Sequence, residues 1–267
     1  MGFEIWWQVV LLGIVEGLTE FLPVSSTGHL ILATELIGFQ GPPGRVFEVV
    51  IQLGAILAIC VAYFARLWAV VVEAPRSVEA RRFILAVLLA FLPAAVVGVF
   101  AHKFIKAALF SPWVVAVNLI VGGIAILIIE RVRPEPRFTA VEQFPVKTAL
   151  GIGIIQCLAM VPGVSRAGAT IMGAMMLGVD RRTAAEFSFF LAIPTMLGAT
   201  VYDLFKNRET MSFDGGAMIA VGFLVAFLVA LPVVRGLVGF VGQHGFAPFA
   251  WYRIALGSIA LVALFLR

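Results

Sequence analysis

A chain that is mostly hydrocarbon places Glu16, Glu20, Ser25, Ser26, Thr27 and His29 in one short stretch, EGLTEFLPVSSTGHL at 16–30. Two carboxylates four residues apart share one face of a helix, one turn above the other. So placed, they can ligate a divalent cation that bridges to phosphate oxygens, or act as a base on a nucleophile. Three successive hydroxyls and an imidazole add donors, a candidate nucleophile and a candidate acid or base. Pro23 ends the acid-bearing helix, and the turn Ser25-Ser26-Thr27-Gly28 precedes a second apolar run from His29. Acids inside hydrocarbon cost several kcal/mol, so such a cluster reads first as a functional site.

A partner for this stretch lies 140 residues further on. Residues 153–170, GIIQCLAMVPGVSRAGAT, align without a gap on 13–30, GIVEGLTEFLPVSSTGHL, with six identities in eighteen positions. Ser165 matches Ser25 and Gly168 matches Gly28, while Gln156 replaces Glu16 and Arg166 replaces Ser26. Arg166 offers a planar five-donor fork suited to phosphate and keeps its charge. Ser165, Gly168 and Thr170 surround it, and a helix starting there would point its first N–H groups at an anion. Ser25 and Thr27 form a similar cradle in the first copy. Two anion-friendly turns beside an acid pair imply phosphoryl transfer on a phosphate-bearing substrate.

The elements that must hold these groups are membrane helices. Of the 267 residues 62% are hydrophobic and 13% charged, about half the charge of a soluble domain. Mean hydropathy is +1.07. Apolar runs near 46–65, 83–101, 112–130, 183–204, 216–234 and 249–266 are each about the ~20 residues that cross a bilayer as a helix. The two motif segments are helix, Pro/Gly/Ser break and short helix, so each fits a re-entrant hairpin buried in protein. The expected fold is therefore an all-α polytopic membrane protein with six transmembrane helices and two re-entrant hairpins. One membrane domain spans 1–267: a first repeat at 1–130 with hairpin 5–37, and a second at 147–267 with hairpin 147–178. Three spans per half is odd, so the halves enter with opposite topology and their hairpin tips converge on one site.

The stretch RVRPEPRFTAVEQFPVK at 131–147 reads as a surface linker between the halves. Arg66, Arg76, Arg81, Arg82, Arg131, Arg133, Arg137, Lys147, Arg181, Arg182 and Arg235 fall on one side. Arg45, Lys103, Lys106, Lys206, Arg208 and Arg267 fall on the other. The excess marks the first side as cytoplasmic, with both termini outside. The N-terminus has no basic region or cleavage site, so it is not read as a signal peptide. Cys60 and Cys157 lie in apolar segments and read as small buried hydrophobes. No basic stretch is interleaved with aromatics, which excludes a nucleic-acid partner.

EGLTEFLPVSSTGHL and PGVSRAGAT resemble the two signature motifs of the bacterial undecaprenyl-diphosphate phosphatase family, associated with bacitracin resistance. The resemblance extends over the chain, including FEVVIQLGAILA at 47–58. It implies a hydrolase that removes the terminal phosphate of undecaprenyl diphosphate, a polyprenyl diphosphate lipid, to recycle the carrier for peptidoglycan. It further implies a divalent metal, Mg2+ or Ca2+, in a bacterial inner membrane, and a site open to the periplasm. Carried over by motif position, Glu16, Glu20, Ser26, His29 and Arg166 are catalytic. Ser25 and Ser165 are carried over with them; the chemistry of the residues themselves makes Ser25, Thr27, Ser165, Arg166, Gly168 and Thr170 the candidates for holding phosphate, and Glu16 and Glu20 those for holding the metal. Ala167 departs from the serine that often follows the arginine in that family. A homodimer is compatible with this picture.

Each residue also has a purely structural reading. The glutamates could pack the hairpin, His29 could cap its turn, and Ser165 could be only the N-cap of the second short helix. Ser26 could attack phosphorus, or donate to phosphate while water attacks. Glu48, with Gln52 one turn on, and its counterpart Glu186 are candidates for support around the site. Arg253 reads as a snorkelling or locally paired cation. The rival class is a transporter or flippase of a lipid phosphate, which would use the same arginine and turn amides without a nucleophile. A non-catalytic assembly subunit leaves the buried charges unexplained.

Overall fold

The structure, a computed structural model, describes residues 3–41, 46–109, 111–206 and 215–266. Eleven α-helices are present among them: α1 (Phe3–Thr19), α2 (Ser26–Ile37), α3 (Val46–Ala62), α4 (Phe64–Glu73), α5 (Val78–Leu109), α6 (Pro112–Val132), α7 (Val146–Gln156), α8 (Arg166–Met176), α9 (Arg181–Lys206), α10 (Gly216–His244) and α11 (Ala247–Phe265). No strand forms among the described residues; a lone bridge pairs Phe138 with Val179.

Five of these helices are long and apolar enough to cross a bilayer: α5, α6, α9, α10 and α11. They do not hide their apolar side chains from the surroundings. Leu85, Leu88, Leu92 and Val96 on α5, and Val117, Val121, Ile124 and Ile128 on α6, are exposed at helical spacing. Apolar stripes pointing outward on helices that also pack inward are what a lipid solvent requires. The molecule is a multi-pass helical membrane protein.

The sixth expected span behaves differently. α3 stops at Ala62 and the chain turns by 71° into α4, so the pair is a broken span or a re-entrant loop, and the spans number five or six among the described residues. No Gly or Pro marks the bend. Tyr63 packs edge-on against Phe190, and Arg66, one turn into α4, pairs with Glu142 and Glu186. Tertiary contacts therefore turn the helix. The stretch 131–147 is also more than a surface linker. Phe144 and Val141 are buried in the core, and the backbone around Phe138 bonds to Gly178 and Asp180.

Helices approach closely where a side chain is missing. A Cβ on Gly54 of α3 would run into the Phe223 carbonyl of α10. On α6 and α11 the close approaches are reciprocal: Gly123 faces the Ala250 carbonyl and Gly257 faces the Ala116 carbonyl, each at 2.7 Å from a built Cβ. Small residues at crossings are how membrane helices gain packing without a hydrophobic drive between them. The main core spans both halves, with Phe21, Ala55 and Ala90 in the same cluster as Ile171, Phe187 and Phe189.

Of the cations that oriented the chain, Arg45, Arg208 and Arg267 lie outside the described residues, as do the side chains of Lys103, Lys106 and Lys206.

Candidate active site

α1 and α7 each end in a turn that feeds a short helix, α2 or α8. The residue before each short helix is a serine with positive φ, 71° at Ser25 and 80° at Ser165, and no other described non-glycine residue has one. Such a conformation costs a non-glycine residue of order 1–3 kcal/mol. Each serine recovers a local bond. Ser25 Oγ accepts from the Gly28 amide at 3.3 Å, and Ser165 Oγ accepts from the Gly168 amide at 3.0 Å. The two segments related by 140 residues therefore share one backbone geometry, each with an N-capping serine.

Glu20 joins the two turns. One carboxylate oxygen accepts from Ser26 Oγ, and the other accepts from Arg166 Nη2 at 3.0 Å. Both partners in this ion pair are nearly buried, with 6% of the Glu20 side chain and 13% of the Arg166 side chain exposed. Arg166 Nη1 donates to the Ser188 carbonyl at 2.8 Å and to its Oγ at 3.3 Å. The Phe21 ring lies beneath the guanidinium at 5.9 Å. Arg166 Nε is buried without a partner, leaving one N–H for an anion.

These groups face a cavity of about 200 Å³ whose polar wall includes Glu20, Ser25, Ser26, Thr27, Ser165 and Arg166. Gln52 of α3 joins the same wall. Glu48 does not; it lines a smaller cavity of about 160 Å³ on the other side of Thr27 and Gln52.

Besides Glu48, the expected residues Gly168, Thr170, Glu186, His29 and Glu16 are placed away from the cavity wall. Gly168 spends its amide on the Ser165 cap. Thr170, fully buried, donates to Ser188 Oγ at 2.8 Å and so braces the acceptor of Arg166. Glu186 stands two residues before Ser188, hence on another side of α9, and bonds Arg66 at 2.9 Å. His29 is occupied at both ring nitrogens: Nδ1 lies 2.7 Å from the Ser25 carbonyl and Nε2 lies 2.8 Å from the Tyr252 hydroxyl. The imidazole stacks on the Tyr252 ring. One turn on from Ser25, its ring reaches back to the turn rather than forward into the cavity.

Glu16 is fully buried one turn behind Glu20, and neither of its carboxylate oxygens has a hydrogen-bond partner. Its counterpart Gln156 solves the same position with a neutral amide, donating to the Ala90 carbonyl and accepting from Thr195. A hard divalent cation takes oxygen ligands, and Mg2+ often uses one or two carboxylates with water and phosphate oxygens. The Glu16 and Glu20 oxygens and Ser26 Oγ fit that donor set. No cluster of three or more His, Cys, Asp or Glu side chains occurs among the described residues, so no all-protein cage is formed there.

A second cavity of about 370 Å³ shares Arg166, Met160 and Thr195 with the first and continues between α5 and α9 past Phe91, Ala95 and Gly198. Its continuation is mostly apolar. One supporting residue, Ser188, escaped the sequence reading, and another, Arg253, has a different role from the one read there. Ser188 carried no motif, and only its polar character between Phe187 and Phe189 signalled it. Arg253 is 1% exposed in α11, so it neither snorkels nor pairs with a local acid. A lone arginine in a span was itself the available signal.

A family model described as bacitracin resistance protein BacA matches residues 9–259. A protein of Paramagnetospirillum magneticum named undecaprenyl-diphosphatase 2 is 59% identical over 262 residues, covering 97% of this chain and 99% of that protein. Undecaprenyl-diphosphatase 1 of Agrobacterium fabrum is 56% identical over 265 residues, with 99% and 98% covered. The undecaprenyl-diphosphatase of Parvibaculum lavamentivorans is 58% identical over 255 residues, with 96% and 95% covered.

Proposed function

The chain belongs to the bacitracin resistance protein BacA family, and from that premise we propose that it is an integral membrane undecaprenyl-diphosphate phosphatase. It releases inorganic phosphate from the lipid diphosphate and returns the monophosphate carrier to peptidoglycan synthesis, an activity that also confers bacitracin resistance. The observation that carries the reading is the Glu20 carboxylate, which joins Ser26 from the first turn to Arg166 from the second. An acid, a hydroxyl held on it and a guanidinium meet at one cavity wall, as phosphoryl transfer requires.

Substrate would enter with its diphosphate in the polar cavity and its prenyl tail along the apolar one between α5 and α9. Arg166 Nε, the Ser165 and Thr27 hydroxyls and the start of α8 would receive phosphate oxygens. Glu20 withdraws the Ser26 proton as Ser26 Oγ attacks the terminal phosphorus. The bond from that phosphorus to the bridging oxygen breaks, and the lipid monophosphate leaves. Water then attacks the phosphoserine, the bond from phosphorus to Ser26 Oγ breaks, and Glu20 returns its proton to that oxygen, releasing inorganic phosphate and restoring the Ser26 hydroxyl and the Glu20 carboxylate. Arg166 neutralises charge on the phosphoryl oxygens throughout. A divalent ion bound at Glu16 and Glu20, which we take to be Mg2+ or Ca2+, would add Lewis-acid polarisation of those oxygens. His29 holds the Ser25 turn in shape. Gln52 helps wall the cavity, and Glu48 sits behind it.

We read the chain as one membrane domain, 1–267, containing two inverted repeats with re-entrant hairpins at 5–37 and 147–178. The shared serine-turn geometry and the reciprocal contacts of α6 and α11 support that reading. The basic excess supports an inner-membrane orientation with both termini facing the periplasm, and family membership supports a site open to the same side. The oligomeric arrangement we consider is a homodimer or a monomer.

The test is phosphate release from a polyprenyl diphosphate by purified chain in detergent, with and without a chelator. Metal-dependent release is expected, falling to background in folded Glu20→Ala and Ser26→Ala. In acid-quenched wild type a phosphoserine should be trapped at Ser26. Absence of release from folded wild type across metals and prenyl lengths would overturn the enzyme and turn attention to lipid-phosphate flipping in liposomes.

A further inference from the structure

Arg253 sits where nothing in a lipid-facing helix calls for a charge. All five of its N–H donors are used, and every acceptor is a backbone carbonyl. Nε donates to Leu119 at 3.2 Å. Nη1 donates to Pro23 and to Val164, both at 3.0 Å, and Nη2 donates to Asn118 at 2.9 Å and to Gly163 at 2.8 Å. Arginine has five donors and no acceptor, so the guanidinium is saturated. No carboxylate pairs with it among the described residues. A buried cation without a counter-ion is expensive, and one residue is asked to carry that cost here.

The choice of acceptors shows what the cost secures. Pro23 and Gly163 are equivalent positions, 140 apart, each two residues before the serine with positive φ. Val164 directly precedes Ser165 and Arg166. The guanidinium thus grips the same point in both turns and anchors both to α6. Neighbouring Tyr252 holds His29, whose other nitrogen bonds the Ser25 carbonyl. Asn118 adds a bond from its side-chain amide to the Pro162 carbonyl at 3.0 Å. Gly122 of α6 provides the space, because a Cβ there would collide with Arg253 Nη2.

We infer that Arg253 is a positioning residue for catalysis: it clasps the two turns in register so that Ser26 and Arg166 meet on Glu20. This rests on the proposed phosphatase function. The effect is geometric, since Arg253 does not line the cavity and its donors are all spent on carbonyls. A displacement of about 1 Å between reacting groups costs on the order of 100-fold in rate. Gly122→Ala is the most informative perturbation. It keeps Arg253, replaces glycine with a better helix former, and pushes the guanidinium off its seat.

The experiment measures kcat and KM for a polyprenyl diphosphate in Gly122→Ala, Arg253→Met and Arg253→Lys, alongside hydrogen exchange of peptides spanning residues 21–28 and 161–168. Folded protein is quantified by gel filtration in detergent. Gly122→Ala and Arg253→Met should lose about 100-fold in kcat with KM within about threefold, and exchange should quicken in both turns but not in the long helices. Arg253→Lys, with three donors, should fall between them and wild type. In an Arg166→Met background, Arg253→Met should cost less than about threefold more, because it acts through Arg166 and Ser26.

Retained kcat in folded Gly122→Ala and Arg253→Met would overturn the clasp. So would lost activity without faster exchange in the turns, or failure of all three variants to fold, which would mark Arg253 as structural only. Loosened turns in variants of an inactive wild type would leave the clasp standing and remove the phosphatase.

Discussion

Replacing Arg166 with lysine tests whether the site needs a charge or a fork. The guanidinium reaches two directions at once: Nη2 meets Glu20 at 3.0 Å, while Nη1 meets the Ser188 carbonyl at 2.8 Å. A lysine ammonium keeps the charge, so Glu20 is not left buried and alone, but it presents its donors from a single nitrogen. It can serve Glu20 or Ser188, not both in that geometry. One charge-assisted hydrogen bond is lost, worth about 1.5–3 kcal/mol. If that bond is fully formed in the transition state, kcat/KM falls about 10- to 150-fold. Arg166→Ala removes the charge as well and leaves Glu20 without its ion-pair partner, which costs about 3–5 kcal/mol of stability. Steady-state phosphate release per folded molecule, with detergent gel filtration as the folding control, should therefore rank wild type, lysine, alanine, with the alanine variant also less stable to heat. A folded lysine variant within about threefold of wild type would refute the argument that two-directional donation matters. Equal thermal stability of the alanine variant would refute the buried pairing.

Glu16→Gln removes a carboxylate with no hydrogen-bond partner, so its main effect should fall on the cation: the concentration of Mg2+ or Ca2+ for half-maximal activity should rise about 10- to 100-fold with folding intact. An unchanged metal titration would dissociate Glu16 from the cation. Gly198→Phe should fill part of the apolar cavity beside Phe91, raising KM for long prenyl diphosphates more than for short ones; equal effects would place the tail elsewhere. Gly54→Ala forces α3 off the Phe223 carbonyl of α10 and should cost about 1–3 kcal/mol in stability, read as a lower melting temperature with specific activity of the folded fraction retained.

The parts legible in sequence were those written in local chemistry. Pro23 and the Ser25–Gly28 run announced a break and a cap, and both are there because a serine hydroxyl three residues before an amide is a self-contained device. The second turn was legible because Val164, Ser165 and Gly168 repeat Val24, Ser25 and Gly28. The 71° bend after α3 was not, since Ala62, Tyr63 and Phe64 form no breaker. It is imposed by rings of α9 and by an ion pair to residues more than seventy positions away. The same limit explains Phe144 and Val141, whose prolines and charges read as surface until a core is available to receive them. His29 shows the limit within the motif itself. Its spacing from Ser25 allowed a role in the cavity, but Tyr252, over two hundred residues on, holds one face and one nitrogen.

The two turns share a backbone and differ in what hangs from it, and that difference is where chemistry enters a repeated fold. At one pair of positions the first turn carries Ser26 and the second Arg166. At another the first helix carries Glu16 and the second Gln156. The neutral amide of Gln156 is fully partnered, whereas Glu16 has no hydrogen-bond partner for either oxygen. In the proposed function the cation bound with Glu20 would supply the partner that Glu16 lacks. The hydroxyl and the guanidinium likewise come from different halves and meet only through Glu20. Neither turn alone brings together the Glu20 carboxylate, the Ser26 hydroxyl and the Arg166 guanidinium, so their meeting depends on the two turns being held in fixed register. A cation shared among carbonyls of both turns is a physically economical way to hold them, because backbone acceptors fix the path of the chain while leaving every side chain in the cavity free to react.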